Sequence, residues 1–222
     1  MSTQAEQDYL KAIYELAASG GEVTTTMLAR HLDVTPASVT NMLKKLARAG
    51  LVTHTPYRGA TLTAKGERVA VKTLRAHRVV ERFLVEALNL PWDEVHHEAD
   101  RWEHVVSEQV ILQMEETLGY PTTDPHGAPI PTRQGDLPIR EADSLWEADA
   151  PTRLRVLEIE DEDPELLRYA AGLGLIPGTE IELLRRQPYD ELLFVQIGDR
   201  EIALGEKAAR RILVTRIAEG EG

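Results

Sequence analysis

Helix starts and stops lie so close together in the first 63 residues that little fits there except three short helices and a β-hairpin. Residues 5–18 put Tyr9, Ile13, Leu16 and Ala17 on one stripe, and Gly20-Gly21 ends that helix. Residues 24–31 read as a second helix, with Met27, Leu28 and Leu32 apolar, and Asp33-Val34 as a brief turn. Thr35 then stands as an N-cap before Pro36, a residue suited to the first helical position because it lacks the amide proton a helix start leaves unused. Val39, Met42, Leu43 and Leu46 form the inward stripe of this third helix, and Gly50 stops it. Residues 51–54 and 60–63 alternate like strands, with Tyr57-Arg58-Gly59 turning between them. Helix, turn, helix and β-wing in this order spell a winged helix-turn-helix.

In such a pair the second helix presents its N-terminal end to the DNA major groove. Here that end is Thr35, Pro36, Ala37 and Ser38, followed by Thr40 and Asn41. Small and hydroxyl side chains let the backbone come close, and Asn41 has the reach and the paired donor and acceptor to read a base edge. Lys44, Lys45 and Arg48 further along the helix, and Arg58 at the wing tip, are cations for phosphates. The bland alternative is a solvated polar face of a helical bundle. Charge distribution argues against it. The chain has 222 residues and a formal net charge of −12, yet residues 1–75 carry ten Lys/Arg against six Asp/Glu, while the remainder is strongly acidic. A basic head on an acidic body directs nucleic acid to the head.

The acidic body contains the segment His96-His97-Glu98-Ala99-Asp100-Arg101-Trp102-Glu103-His104. At about 100° per helical residue, His96, Asp100, Glu103 and His104 share one face of a helix read from about Glu94 to Leu118. His77 and Glu81 stand i, i+4 on the preceding helix, read from Ala64 to Asn89, and Asp8 adds a carboxylate near the chain start. Imidazole and carboxylate together suit Mn, Fe, Co, Ni or Zn. There are no cysteines, which excludes thiolate ligands and disulfides and accords with a cytoplasmic location. The alternative for these residues is a charged, solvated face. No apolar run approaches the roughly 18–20 residues that span a bilayer, and no secretory leader is read at the start.

Residues 120–151 hold six of the twelve prolines and little periodicity. Beyond them, alternating stretches near residues 154–159, 180–185, 192–197, 201–204 and 212–217, with a short helix over 164–172, suggest a small barrel. The expected architecture is α+β and multidomain: a winged helix-turn-helix over 1–72, a helical metal-binding and dimerisation domain over 73–140, a linker over 141–151, and an SH3-like domain over 152–222.

At Asp8-Tyr9-Leu10, at residues 75–84 (RAHRVVERFL), at Val95–His104, at Asp124-Pro125-His126-Gly127 and at Leu173–Gly178, the sequence resembles the diphtheria-toxin-repressor family of metalloregulators. The resemblance covers nearly the whole chain. It implies a non-enzymatic homodimer that binds double-stranded operator DNA when metal is bound, with an SH3-like, FeoA-like third domain. It also implies a primary, regulatory site of Asp8, Asp100, Glu103 and His104. An ancillary site would comprise His77, Glu81 and His96, completed by Asp163 and Glu165 of the third domain. Iron-type members have sulfur residues where this chain has Asp8 and Asp100, so the ligand set leans to Mn²⁺, with Fe²⁺ second. Manganese-type members carry a Glu one turn after the first Asp, where this chain has Lys11. Two other readings use the same residues: a winged-helix regulator that senses a small organic ligand, and a metal-dependent enzyme or metal-storage module. The first implies no bound metal. The second implies turnover or many ions and no operator footprint.

Overall fold

The structure, a computed structural model, describes residues 2–18, 22–55, 59–138 and 140–217. In chain order the elements are α1 (Gln4–Ala18), α2 (Thr25–His31), α3 (Pro36–Arg48), β1 (Val52–Thr55), β2 (Gly59–Leu62), α4 (Ala64–Glu86), α5 (Val95–Trp102) and α6 (Glu108–Thr117). They are followed by β3 (Asp143–Ser144), β4 (Thr152–Ile159), α7 (Pro164–Leu173), β5 (Glu180–Gln187), β6 (Leu192–Ile197), β7 (Arg200–Gly205), α8 (Glu206–Ala209) and β8 (Ile212–Arg216). The chain forms two compact units. One comprises residues 1–77, 101–111 and 131–137, the other 78–100, 112–130 and 138–222. The segment 73–140, expected as one helical domain, is thus divided between them.

The first unit holds the winged helix-turn-helix. Thr24 caps α2 by accepting from the Met27 amide, and Thr35 caps α3 by accepting from the Ser38 amide with Pro36 at the helix start. Tyr9, Leu10 and Ile13 of α1, Leu28 of α2 and Val39, Leu43 and Leu46 of α3 converge on one core. β1 and β2 pair antiparallel from Val52↔Leu62 to Thr55↔Gly59, and Val23 adds a bridge to Ala60. Residues 56–58, and with them Arg58, lie outside the described residues. The Thr63 hydroxyl caps α4 by accepting from the Gly66 amide. A side chain at Gly66 would collide with the Leu51 carbonyl, 1.9 Å from where its Cβ would stand, so glycine lets α4 seat on the start of the hairpin.

One helix read from 94 to 118 proves to be two. α5 ends at Trp102, whose carbonyl accepts from both Val105 and Val106 amides (3.0 Å each). Ser107 restarts the chain as α6: its carbonyl accepts from Val110 and Ile111. A β-branched pair followed by a serine explains the break, because valines disfavour helix and serine favours its start. Glu103 and His104 therefore sit on a turn.

The second unit contains the SH3-like domain, an antiparallel sheet of order β3-β8-β4-β5-β6-β7 with α7 packed into its core through Leu166, Leu167 and Ala170. Register shifts in β4 and β5 bend the sheet. Residues 141–151 are not a free tether: β3 pairs with β8, and Leu145, Trp146 and Ala148 are buried in the same core. Arg186 and Arg210 stack on the Trp146 ring. Among the described residues no helix is long and apolar enough to cross a membrane.

Candidate metal centres

In the first unit, α1 brings Asp8 to the turn after α5. Asp8 Oδ1 stands 2.8 Å from His104 Nε2, and Glu103 Oε1 stands 3.3 Å from the same nitrogen. These three residues offer donor atoms that all lie within 4.8 Å of one another. His104 Nδ1 is 2.8 Å from the Gln7 side-chain oxygen. An oxygen there accepts, so Nδ1 carries the proton and the Nε2 lone pair faces two carboxylates. A lone pair aimed at carboxylates is repulsive unless a cation or a proton sits between them. Glu103 is buried, and its Oε1 has no hydrogen-bond partner among the described residues. Its other oxygen is engaged: Oε2 accepts from Lys11 Nζ at 2.8 Å and lies 2.5 Å from His77 Nδ1. His77, expected in the ancillary set, thus bonds to a residue of the primary one. Asp100 belongs to the second unit, where it stands 3.8 Å from His96, one turn away on α5.

The second unit holds a denser cluster. Glu81, Asp124, His126 and Asp161 place donor atoms within 4.8 Å of one another. His126 is nearly inaccessible, and its Nε2 lies 2.6 Å from the Trp92 carbonyl, against whose ring the imidazole stacks. The carbonyl can only accept, so Nε2 donates and Nδ1 is left as a lone pair. Among the described residues that lone pair has no hydrogen bond, and it faces Asp161 Oδ2 at 3.7 Å and Glu81 Oε1 at 3.9 Å. Asp124 Oδ1 accepts from the amides of His126 and Ala128, fixing the loop, while Oδ2 has no hydrogen bond among the described residues. Arg78 lies 3.7 Å from that Oδ2. Burial, then the Glu81 charge, pushes Asp124 up to about 8. His96 adjoins the same carboxylates, its Nδ1 at 3.2 Å from Glu81 Oε1 and 3.4 Å from Asp161 Oδ2. Burial opposes its charge, but the hydrogen bonds to Asp161 and Glu81 outweigh it and raise His96 to about 11. Asp161 is held below its ordinary value although burial acts the other way, because of the His96 bond.

The residues present suit a divalent ion in both places. Each set combines imidazole with carboxylate, contains no sulfur, and has buried acceptor atoms without hydrogens to accept (Glu103 Oε1, Asp124 Oδ2, His126 Nδ1). Bound there, an ion supplies the positive charge these carboxylates lack.

Asp163 and Glu165, expected to complete the ancillary set, lie elsewhere. Asp163 is the N-cap of α7, accepting from Glu165 and Leu166 amides, and its other oxygen accepts from Arg211. The Arg211 hydrogen bond holds its carboxyl below the ordinary range. Glu165 is exposed at the first turn of that helix. The carboxylate beside His96 is Asp161, two residues earlier in the same acidic run. The D-x-D-P spacing carries the signal: a helix opening at Pro164 claims Asp163 as its cap, which leaves Asp161 in the turn before it. Asp124 and His126 were legible as a motif but not as donors, and Gln7 gave no signal.

On α3, Thr35, Pro36, Ala37, Ser38, Asn41, Lys44 and Arg48 are exposed. Thr40 is half-buried and spends its hydroxyl on the Pro36 carbonyl, and Lys45 pairs with Glu6 at 3.2 Å.

Residues 1–60 match the N-terminal DNA-binding domain of iron-dependent repressors, residues 63–132 their metal-binding and dimerisation domain, and residues 144–216 the FeoA domain. The iron-dependent repressor IdeR of Mycobacterium tuberculosis is 32% identical over 221 residues, spanning 94% of this chain and 96% of that protein. The chain belongs to the iron-dependent repressor family. The diphtheria toxin repressor of Corynebacterium efficiens is 32% identical over 189 residues, 81% of this chain and 82% of that one. Among solved structures, a manganese-dependent transcriptional repressor in complex with manganese superposes with a TM-score of 0.89 at 37% identity, covering 96% of this chain and all of that one. ScaR with bound Zn²⁺ superposes with a TM-score of 0.81 at 32% identity, covering 96% and 99%. As a family member the chain is a metal-dependent transcriptional repressor and not an enzyme. The reading as a catalytic or storage module is thereby set aside.

Proposed function

We propose that the repressor answers to Mn²⁺, with Fe²⁺ as second choice, and that the loaded homodimer binds double-stranded operator DNA at metal-homeostasis genes in the cytoplasm. The observation that carries the choice of metal is the donor set: oxygen and imidazole nitrogen alone, with no thiolate or thioether. Asp8, Glu103 and His104 hold the regulatory ion. Glu81, Asp124, His126 and Asp161 hold a second, with His96 on its margin.

The first ion acts through α1. This helix buries Tyr9, Leu10 and Ile13 in the winged helix-turn-helix core, so fixing Asp8 fixes the whole DNA-reading head against the α5–α6 turn. Gln7 holds the His104 tautomer that leaves Nε2 facing Asp8. Without the cation, Asp8 and Glu103 repel each other across that nitrogen. Metal therefore shifts a population toward the docked head, and by linkage DNA must tighten metal binding by the same factor. In the groove, Asn41 and Ser38 read base edges, while Lys44, Lys45, Arg48 and Arg58 take phosphates. Thr35, Pro36, Ala37 and Thr40 set the backbone approach.

The test is a titration of DNA binding with Mn²⁺, Fe²⁺, Co²⁺ and Zn²⁺, using duplexes selected in vitro on the Mn²⁺-loaded protein. Mn²⁺ is expected to activate at least as strongly as any other ion. Binding indifferent to all four ions refutes the reading.

A further inference from the structure

Lys11 lies one turn after Asp8 on α1, and its side chain is only 12% exposed. Its Nζ stands 2.8 Å from Glu103 Oε2 and 3.3 Å from His77 Nδ1. Glu103 is thus a two-sided ligand. Oε1 faces Asp8 and His104 with no hydrogen bond of its own, while Oε2 faces a carboxylate-plus-imidazole seat that already contains a positive charge. A carboxylate oxygen and an imidazole nitrogen converging in a buried place are the donors a divalent ion takes. Here the ammonium reaches both.

We propose that Lys11 is a resident cation of the primary centre. It fills the Glu103–His77 seat and limits that centre to one divalent ion. Charge opposes a second ion. One divalent ion offsets Asp8 and Glu103, and a second ion at the Oε2 side would meet an ammonium within bonding distance of the same oxygen. At that range two like charges in a partly buried site repel strongly, and a divalent ion doubles the repulsion. The centre is then a single-ion switch whose second seat is occupied by the protein itself.

This inference rests on the metal reading of Asp8, Glu103 and His104, and the test separates the two. The full chain carrying His126→Ala and Asp161→Ala, which removes two donors of the second centre, is loaded with Mn²⁺. Bound ions are counted by equilibrium dialysis, and spin coupling is read by electron paramagnetic resonance. One magnetically isolated Mn²⁺ per chain is expected. Adding Lys11→Met, which keeps the aliphatic stem, is expected to admit a second ion and a spin-coupled spectrum. Adding Lys11→Arg, which keeps a cation, is expected to hold the count at one. Near-ultraviolet circular dichroism confirms that each variant is folded. A coupled pair in the chain that retains Lys11, or one isolated ion in Lys11→Met, overturns the role of Lys11 while leaving the regulatory ion in place. No bound ion in any variant refutes the metal reading itself, and Lys11 loses its role with it.

Discussion

Asp8 and His104 come from distant stretches of the first unit's chain path, yet their Oδ1 and Nε2 atoms stand 2.8 Å apart, with the other ring nitrogen committed to Gln7. The contact joins the helix that founds the DNA-reading core to the turn that carries the buried Glu103. An ion held there acts on α1 directly.

Removing either partner is expected to uncouple metal from DNA. Allosteric couplings are typically about 1–3 kcal/mol, or roughly 5- to 150-fold in affinity. In Asp8→Ala and His104→Ala the Mn²⁺-dependent gain in DNA affinity should collapse to near onefold, with an unchanged circular-dichroism spectrum. Gel shifts with and without Mn²⁺ measure it, and a wild-type metal response in either variant counts against the assignment.

Asp124→Asn tests the second centre through two opposed effects. The amide oxygen still accepts from His126 and Ala128, so the loop is kept, while a carboxylate donor is removed. The apo protein should melt at the same or a higher temperature, and Mn²⁺ should raise that temperature less than in wild type. A fully retained metal-induced shift would remove Asp124 from the ligand set.

The second centre should bind metal more tightly as pH rises. His96 is raised to about 11, so its pairing with Asp161 and Glu81 stabilises the apo fold fully below about 6.5 and is lost only as pH climbs through about 11. Asp124, raised to about 8, carries a proton below that pH, and the apo fold loses stability as pH rises from 3.8 toward 8. An ion that takes the Asp124 carboxylate must displace its proton. Affinity should therefore rise by up to about 10-fold per pH unit below 8 and level off above it. Calorimetry in buffers of different ionisation enthalpy counts the protons released, and a pH-independent affinity between 6 and 8 would contradict the ligand set.

On α3, Asn41→Ala and Lys44→Ala should fail differently. Loss of a base-reading amide costs about 1–3 kcal/mol of discrimination, whereas loss of a phosphate contact weakens all sequences alike and lowers the salt slope by about one. Competition binding against random duplex over a salt series separates them. An unchanged specific-to-nonspecific ratio in Asn41→Ala would show that Asn41 reads no base.

The winged helix-turn-helix was legible because its punctuation is local: Thr35-Pro36, Gly50 and the alternating hairpin each act on their own neighbours. The SH3-like strands were legible for the same reason. Glu103 and His104 were placed near the right face by periodicity, but the helix reading overlooked the Val105-Val106 pair and the Ser107 cap that turn the chain after Trp102. The second centre was half legible. Glu81 and His96 carry helical spacing, whereas Asp124, His126 and Asp161 sit on loops brought in from distant sequence, where no periodicity exists to read. Asp163 has the residue type of a ligand because capping and ligation call for the same side chain, and only the fold shows that its carboxylate is already in use.

On the proposed mechanism a single Mn²⁺ sits between α1 and the α5–α6 turn. Anomalous diffraction at the manganese edge from crystals grown with Mn²⁺ locates it. A manganese peak bonded to Asp8, Glu103 and His104 together is expected. A fully loaded crystal with no manganese among those three residues would contradict it.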